Sequence, residues 1–160
     1  MNTIGAGMLA VLLGLSGFSR ARSAQEHAPT PGSDRERLAG AWQLVSITSS
    51  GADGKTISVS HPAGMLIYTL DGHVSVQLMY PPSTNAVSNE YVLNGYEASF
   101  GSYDVNEPAH TVTHHIYGSN TRDLLAGKDL VRVYEFSADG SLIIRPARED
   151  EHWSVTWKHY

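Results

Sequence analysis

The segment AGMLIYTLDGHVSVQLMY, residues 63–80, restricts the fold of this chain more than any other. Two runs rich in β-branched and aromatic residues meet at Asp71-Gly72, a dipeptide suited to a two-residue hairpin turn in which both central residues need positive φ. Such a loop pairs Leu70 with His73, Tyr68 with Ser75 and Leu66 with Gln77 on one face. The opposite face then carries Met65, Ile67, Thr69, Val74, Val76 and Leu78, which is nearly all apolar and therefore expected to look inward. Short alternating segments recur at 41–50, 56–59, 98–105, 110–118, 130–137, 141–146 and 153–159. Turn signals separate them at 51–54, 106–108, 138–140 and the acidic run 148–151. Helix-period patterns are scarce, so the chain reads as an all-β antiparallel barrel or sandwich of about eight or nine strands. About eight strands is the smallest closed barrel that can hold one small ligand. Residues 81–95, with two prolines and no period, fit a lid over one barrel end or a short helix.

The first 24 residues differ in kind. Residues 4–18 are apolar, and small side chains follow at Ser19, Ala21, Ser23 and Ala24, the pattern of a secretory signal peptide with its cut among those small residues. The expected organisation is a leader over 1–24, a flexible polar linker over 25–37 and one domain over 38–160, secreted or periplasmic. About 15 apolar residues fall short of the roughly 20 that span a bilayer, so no stable membrane span is expected in the mature form. Losing Arg20 and Arg22 with the leader moves the formal charge from −5 to −7. An acidic surface without a Lys/Arg cluster argues against nucleic acid as a partner. The chain has no cysteine, which removes disulfides, thiol nucleophiles and thiolate metal sites together.

His114 and His115 are neighbours in the run TVTHHIYGSN. Adjacent strand residues point to opposite faces, so the two cannot act on one ligand. His114 shares a face with Val112 and Ile116 and is expected inside; His115 goes with Thr113 and Tyr117 and is expected outside. His110 shares the face of His114 but lies roughly 13 Å along the strand, too far to share a metal ion. The same rule turns Tyr103 inward with Val105, and Arg132 inward with Leu130, Tyr134 and Phe136. His114, Tyr103 and Arg132 are therefore the candidate ligand-binding groups in an apolar interior, with Tyr68 and Gln77 next if the hairpin faces are exchanged. Arg132 suits a carboxylate or enolate oxygen, with Tyr103 as donor and His114 as donor or proton shuttle.

Several ordered motifs then resemble one family. LAGAWQLVS (38–46) is similar to the Gly-x-Trp first strand of the calycin superfamily. PAGMLIYTLDGHVSVQLM, ASFGSYDVNE, TVTHHIYGS, DLVRVYEFSADGSLIIRP and the closing VTWKHY follow in the order seen in the bacterial and fungal lipocalin-like domain family. The resemblance implies an up-and-down lipocalin-like barrel with an internal cavity and implies no single activity. It also implies that Trp42 plugs the closed end of the barrel under a cation from the last strand, for which Lys158 is the candidate.

No nucleophile elbow, phosphate-binding glycine loop, zinc-protease helix or dinucleotide fingerprint occurs, and no cofactor or metal is implied. Two functions stay open. One is a carrier that holds a small hydrophobic or amphipathic molecule. The other is a cofactor-independent isomerase or cyclase acting on a polyketide- or terpenoid-like substrate, with catalytic residues unknown beyond the candidates named. The signal peptide favours the carrier.

Overall fold

The computed structural model describes residues 32–50, 54–80 and 88–160. The expected leader, most of the expected linker and residues 81–87 of the expected lid lie outside the described residues. Nine strands run in chain order: β1 (Gly40–Ser50), β2 (Thr56–Ser58), β3 (Ala63–Tyr68), β4 (His73–Met79), β5 (Tyr96–Asn106), β6 (Thr111–Ser119), β7 (Asp129–Phe136), β8 (Leu142–Pro146) and β9 (Trp153–His159). Strands β3 to β9 pair antiparallel with their sequence neighbours, and β9 returns to β1, which also pairs with β3. Eight strands thereby close a barrel, while β2 adds only a short pairing at the end of β1. Closure leaves every strand of the barrel with two partners, which removes the exposed edges of an open sheet.

The hairpin has a different register from the expected one. Thr69 and His73 pair through the Thr69 amide on the His73 carbonyl at 2.9 Å, which makes the loop three residues, 70–72. Gly72, at φ +96°, takes the left-handed position that this longer loop needs. The turn is tied further by the Thr69 hydroxyl, which accepts from the His73 amide at 3.0 Å. Register therefore moves by one: Tyr68 faces Val74 and Leu66 faces Val76. Leu66 and Tyr68 are buried with Val74, Val76 and Leu78, whereas Met65 and Ile67 are less buried and Gln77 is exposed.

Two irregularities set which side chains enter the barrel. A bulge between Leu44 and Ser46 puts Ile47 on the same inner side as Trp42 and Leu44. A second, between β5 and β6 at Phe100 and Gly101, lets the strands approach so closely that a Cβ on Gly101 would lie 1.9 Å from the His115 carbonyl oxygen. Burial on β6 alternates without a break from Val112 through His114 to Ile116.

A short helix, α1 (Asp34–Leu38), precedes β1. Ser33 caps it in a reciprocal box with Glu36. It is not part of a loose tether, as residues 34–37 were expected to be. Leu38 is fully buried, Tyr134 donates its hydroxyl to Asp34 Oδ2 at 2.7 Å, and Arg37 lies 3.8 Å from the Phe136 ring centroid. Helix α1 thus closes one end of the barrel. There Trp42 is buried and donates its indole N–H to the Leu38 carbonyl at 2.8 Å. The expected cation over Trp42 is absent: Lys158 is exposed opposite Gln43, and the ring packed on Trp42 is His159, at 3.7 Å between centroids. Strand parity explains the exchange, because Trp42 sits opposite His159 and not Lys158.

Candidate functional site

The far half of the barrel is not filled. A cavity of about 350 Å³ lies between the walls, lined by apolar side chains that include Ile47, Leu66, Val76, Leu78, Ile144 and Val155. Its rim carries Ser50, Asn89 and His152, all solvent-exposed. Residues 88–95 form a loop there, without a helix. Asn89 accepts from the amides of Tyr91 and Val92 at 2.8 Å, which turns both side chains onto the cavity. Glu90 then meets Lys128 at 3.2 Å and Arg148 at 3.3 Å, tying the loop to the barrel.

Arg132 is 7 % exposed and lines this cavity. Its guanidinium carbon lies 4.8 Å from the Tyr91 ring centroid and 4.9 Å from that of Trp153. Those rings meet edge to face at 6.4 Å, so two aromatic walls enclose the cation. Arg132 forms no ion pair among the described residues. Each cation–π contact supplies about 1–2 kcal/mol when desolvated, against several kcal/mol for taking an ion out of water. Arg132 Nη1 also donates to the Val131 carbonyl at 3.4 Å, and an anion in the cavity would add the ion pair that the guanidinium lacks among the described residues.

His114 also lines the cavity, buried, with Nε2 2.6 Å from the Tyr68 hydroxyl. Burial, reinforced by Arg132 and His115, pulls its pKa down to about 3. Burial likewise raises the Tyr68 hydroxyl far above its usual range. The pair is therefore neutral at physiological pH, and His114 is a weak base there. A weak base is poorly suited to shuttling protons, and its Nε2 is engaged by the Tyr68 hydroxyl.

Glu97 faces the same cavity from β5. Desolvation pushes its carboxyl up to about 7, with the Arg132 charge pulling the other way. Tyr80, also on the cavity wall, is pushed up to about 12 by burial and by Glu97. Trp157 is 2 % exposed and lines the cavity, and its indole N–H has no hydrogen-bond partner among the described residues. An orphaned buried donor costs about 1–3 kcal/mol.

Of the five expected ligand-binding residues, His114 and Arg132 line the cavity. Tyr68 stands behind His114 as its hydrogen-bond partner. Tyr103 points inward as expected but belongs to the closed end: its hydroxyl donates to the Thr69 carbonyl at 2.9 Å and its ring lies under Arg35. Gln77 is exposed on the outer face, because β4 keeps the expected facing with Val74, Val76 and Leu78 inward, and the one-residue register change turns only the β3 side chains Leu66 and Tyr68 inward. Outside, His115 is held between Asp129 at 2.6 Å and Asp104 at 3.1 Å.

Glu97, Tyr91, Trp153 and Trp157 were not anticipated. For Glu97 a signal existed: β5 begins at Tyr96, and the alternation that turns Ser99 and Tyr103 inward also turns Glu97 inward. The same alternation joins Trp153, Val155 and Trp157 on β9. Tyr91 lies in an aperiodic loop and had no such signal.

The sequence profile of the lipocalin-like domain family matches residues 39–159. The chain belongs to the lipocalin-like domain family. Among solved structures, a redesigned β-barrel is 14% identical, with 79% of this chain and 94% of that one covered at TM-score 0.42. A variant of the fluorescent protein UnaG is 14% identical, covering 78% and 97% at TM-score 0.39. Wild-type UnaG is 12% identical, covering 78% and 98% at TM-score 0.40. No curated protein sequence matches. As a family member this chain is a closed antiparallel barrel, a fold compatible with holding a small molecule. No helix of the described residues is long and apolar enough to cross a membrane.

Proposed function

We propose that this lipocalin-like protein is exported and binds one small amphipathic molecule in the cavity of its barrel. The observation that carries the reading is Arg132, a buried cation with no ion pair among the described residues, at the wall of a cavity that is otherwise mostly apolar. Apolar walls supply affinity and a few polar groups supply orientation; here those groups are Arg132, Glu97, His114 and Trp157. Binding is favoured over isomerase or cyclase chemistry because His114 is held neutral and Tyr103 is committed to a backbone carbonyl. Export rests on the apolar stretch 4–18 and the small residues after it.

Native mass spectrometry before and after extraction with organic solvent tests the binding, together with uptake of the environment-sensitive dye N-phenyl-1-naphthylamine. A discrete extractable mass, or dye fluorescence with matching quenching of tryptophan, supports the cavity reading. A bare protein that takes up no dye overturns it. Cell fractionation of the full-length chain, with the mass of its mature N-terminus, tests export.

A further inference from the structure

We infer that the cavity takes up its ligand as an anion together with a proton: a monocarboxylate seats on Arg132 while Glu97 becomes a neutral carboxylic acid. The inference rests on the cavity-binding reading above and names its ligand class. Arg132 is confined by the Tyr91 and Trp153 rings, and its Nη1 donates to the Val131 carbonyl at 3.4 Å. Glu97, on the same cavity, has no ion pair or side-chain hydrogen bond among the described residues. Opposite charges thus share one desolvated space without touching, each moderating the cost of the other at a distance. An incoming carboxylate matches the guanidinium fork and takes over its field. The orphaned Trp157 N–H offers the anion or its neighbouring polar group a further donor. Glu97 would then face a second negative charge in the same desolvated space, and two carboxylates so placed cannot both stay ionised.

The proton goes to Glu97 because the other groups buried against the cavity do not change state near neutrality. His114 on β6 is held neutral, and burial keeps the hydroxyls of Tyr68 behind it, Tyr80 after β4 and Tyr91 in the rim loop protonated. His152 stands at the exposed rim before β9, and Glu151 beside it accepts from Tyr91 at 2.9 Å. Among the described residues lining the cavity Arg132 is the one Lys or Arg, so a monoanion is matched and a dianion is not.

The test is displacement of N-phenyl-1-naphthylamine by decanoate and by decan-1-ol between pH 6 and 9, with isothermal titration in buffers of different ionisation enthalpy. At pH 6 decanoate should bind about tenfold or more tighter than the alcohol, the gain of a charge-assisted contact. Between pH 8 and 9 its Kd should rise toward about tenfold per pH unit, with about one proton taken up per decanoate, as linkage requires. The alcohol should show no slope. Glu97→Gln should flatten the decanoate profile and keep tight binding at pH 9, while Arg132→Met should lower decanoate to the level of the alcohol. Equal affinity for acid and alcohol, a pH-independent Kd in the wild type, or a slope that survives Glu97→Gln overturns the inference and leaves the cavity reading standing. Failure of the wild type to bind the dye or either ligand overturns both.

Discussion

At the scale of single residues, the two adjacent histidines show how one strand serves two environments. His114 faces an interior that strips its charge, and its Nε2 relies on the Tyr68 hydroxyl. Tyr68→Phe removes that partner and leaves a buried ring nitrogen unsatisfied, so unfolding in urea should show a loss of about 1–3 kcal/mol with dye uptake retained. An unchanged midpoint would mean that the bond is not made in solution. His115 lies outside, and its pKa is raised chiefly by the hydrogen bond to Asp129 and then by Asp104. A raised folded pKa means that its stabilisation is fully present below the unfolded value near 6.5 and lost as pH rises through the folded value. His115→Gln should therefore lower Tm more at pH 5.5 than at pH 8.5, and because both aspartates are exposed the effect should stay within about 1 kcal/mol. An equal Tm loss at both pH values would exclude this linkage. Which histidine faces in was legible from alternation alone. That Tyr68 meets His114 was not, since it depends on the turn four residues away.

Elements show why that step was illegible. Asp71-Gly72 fits a two-residue turn, and nothing in the local sequence distinguishes it from the three-residue loop in which only Gly72 is left-handed. The difference is one residue, and one residue exchanges the faces of β3 while β4 keeps its own. Register there was settled by the core, because only the observed pairing buries Tyr68 against Tyr103, at 4.7 Å between centroids, while Val74, Val76 and Leu78 also face inward. Alternation elsewhere held because β6, β7 and β9 carry their inward residues in an unbroken period of two. The close approach of β5 and β6 makes a sharper test of element packing. Gly101→Ala places a Cβ against the His115 backbone, which cannot move aside, and should cost about 3 kcal/mol or more. Gly118→Ala meets only the ring of Phe100, which is half exposed and free to swing outward, and should cost less than about 1 kcal/mol. Urea midpoints of the two variants compare them directly; similar losses would show that the strands at Gly101 separate more easily than their geometry implies.

On the scale of the whole molecule, the barrel divides into an end that holds it together and an end that leaves room. Leu38, Trp42, Tyr103 and Tyr134 close one end beneath α1, while the cavity around Arg132 occupies the other. Closed barrels with open interiors forgo part of their core burial, so the filled end must supply a larger share of the stability. Helix α1 is short, but its contacts are not superficial: Asp34 accepts from the buried Tyr134, Arg37 covers Phe136 and Arg35 covers Tyr103. A chain beginning at Leu38 loses these and leaves the Tyr134 hydroxyl without its acceptor. It should be less stable by about 2–4 kcal/mol than a chain beginning at Gly32, from one charge-assisted hydrogen bond and two cation–π contacts. Its affinity for N-phenyl-1-naphthylamine, measured well below its melting temperature, should be unchanged, because none of residues 33–37 touches the cavity. Loss of dye binding in a truncated chain that remains folded would show that α1 reaches the site through the barrel wall. Unchanged stability would instead return residues 33–37 to the linker that composition alone suggested.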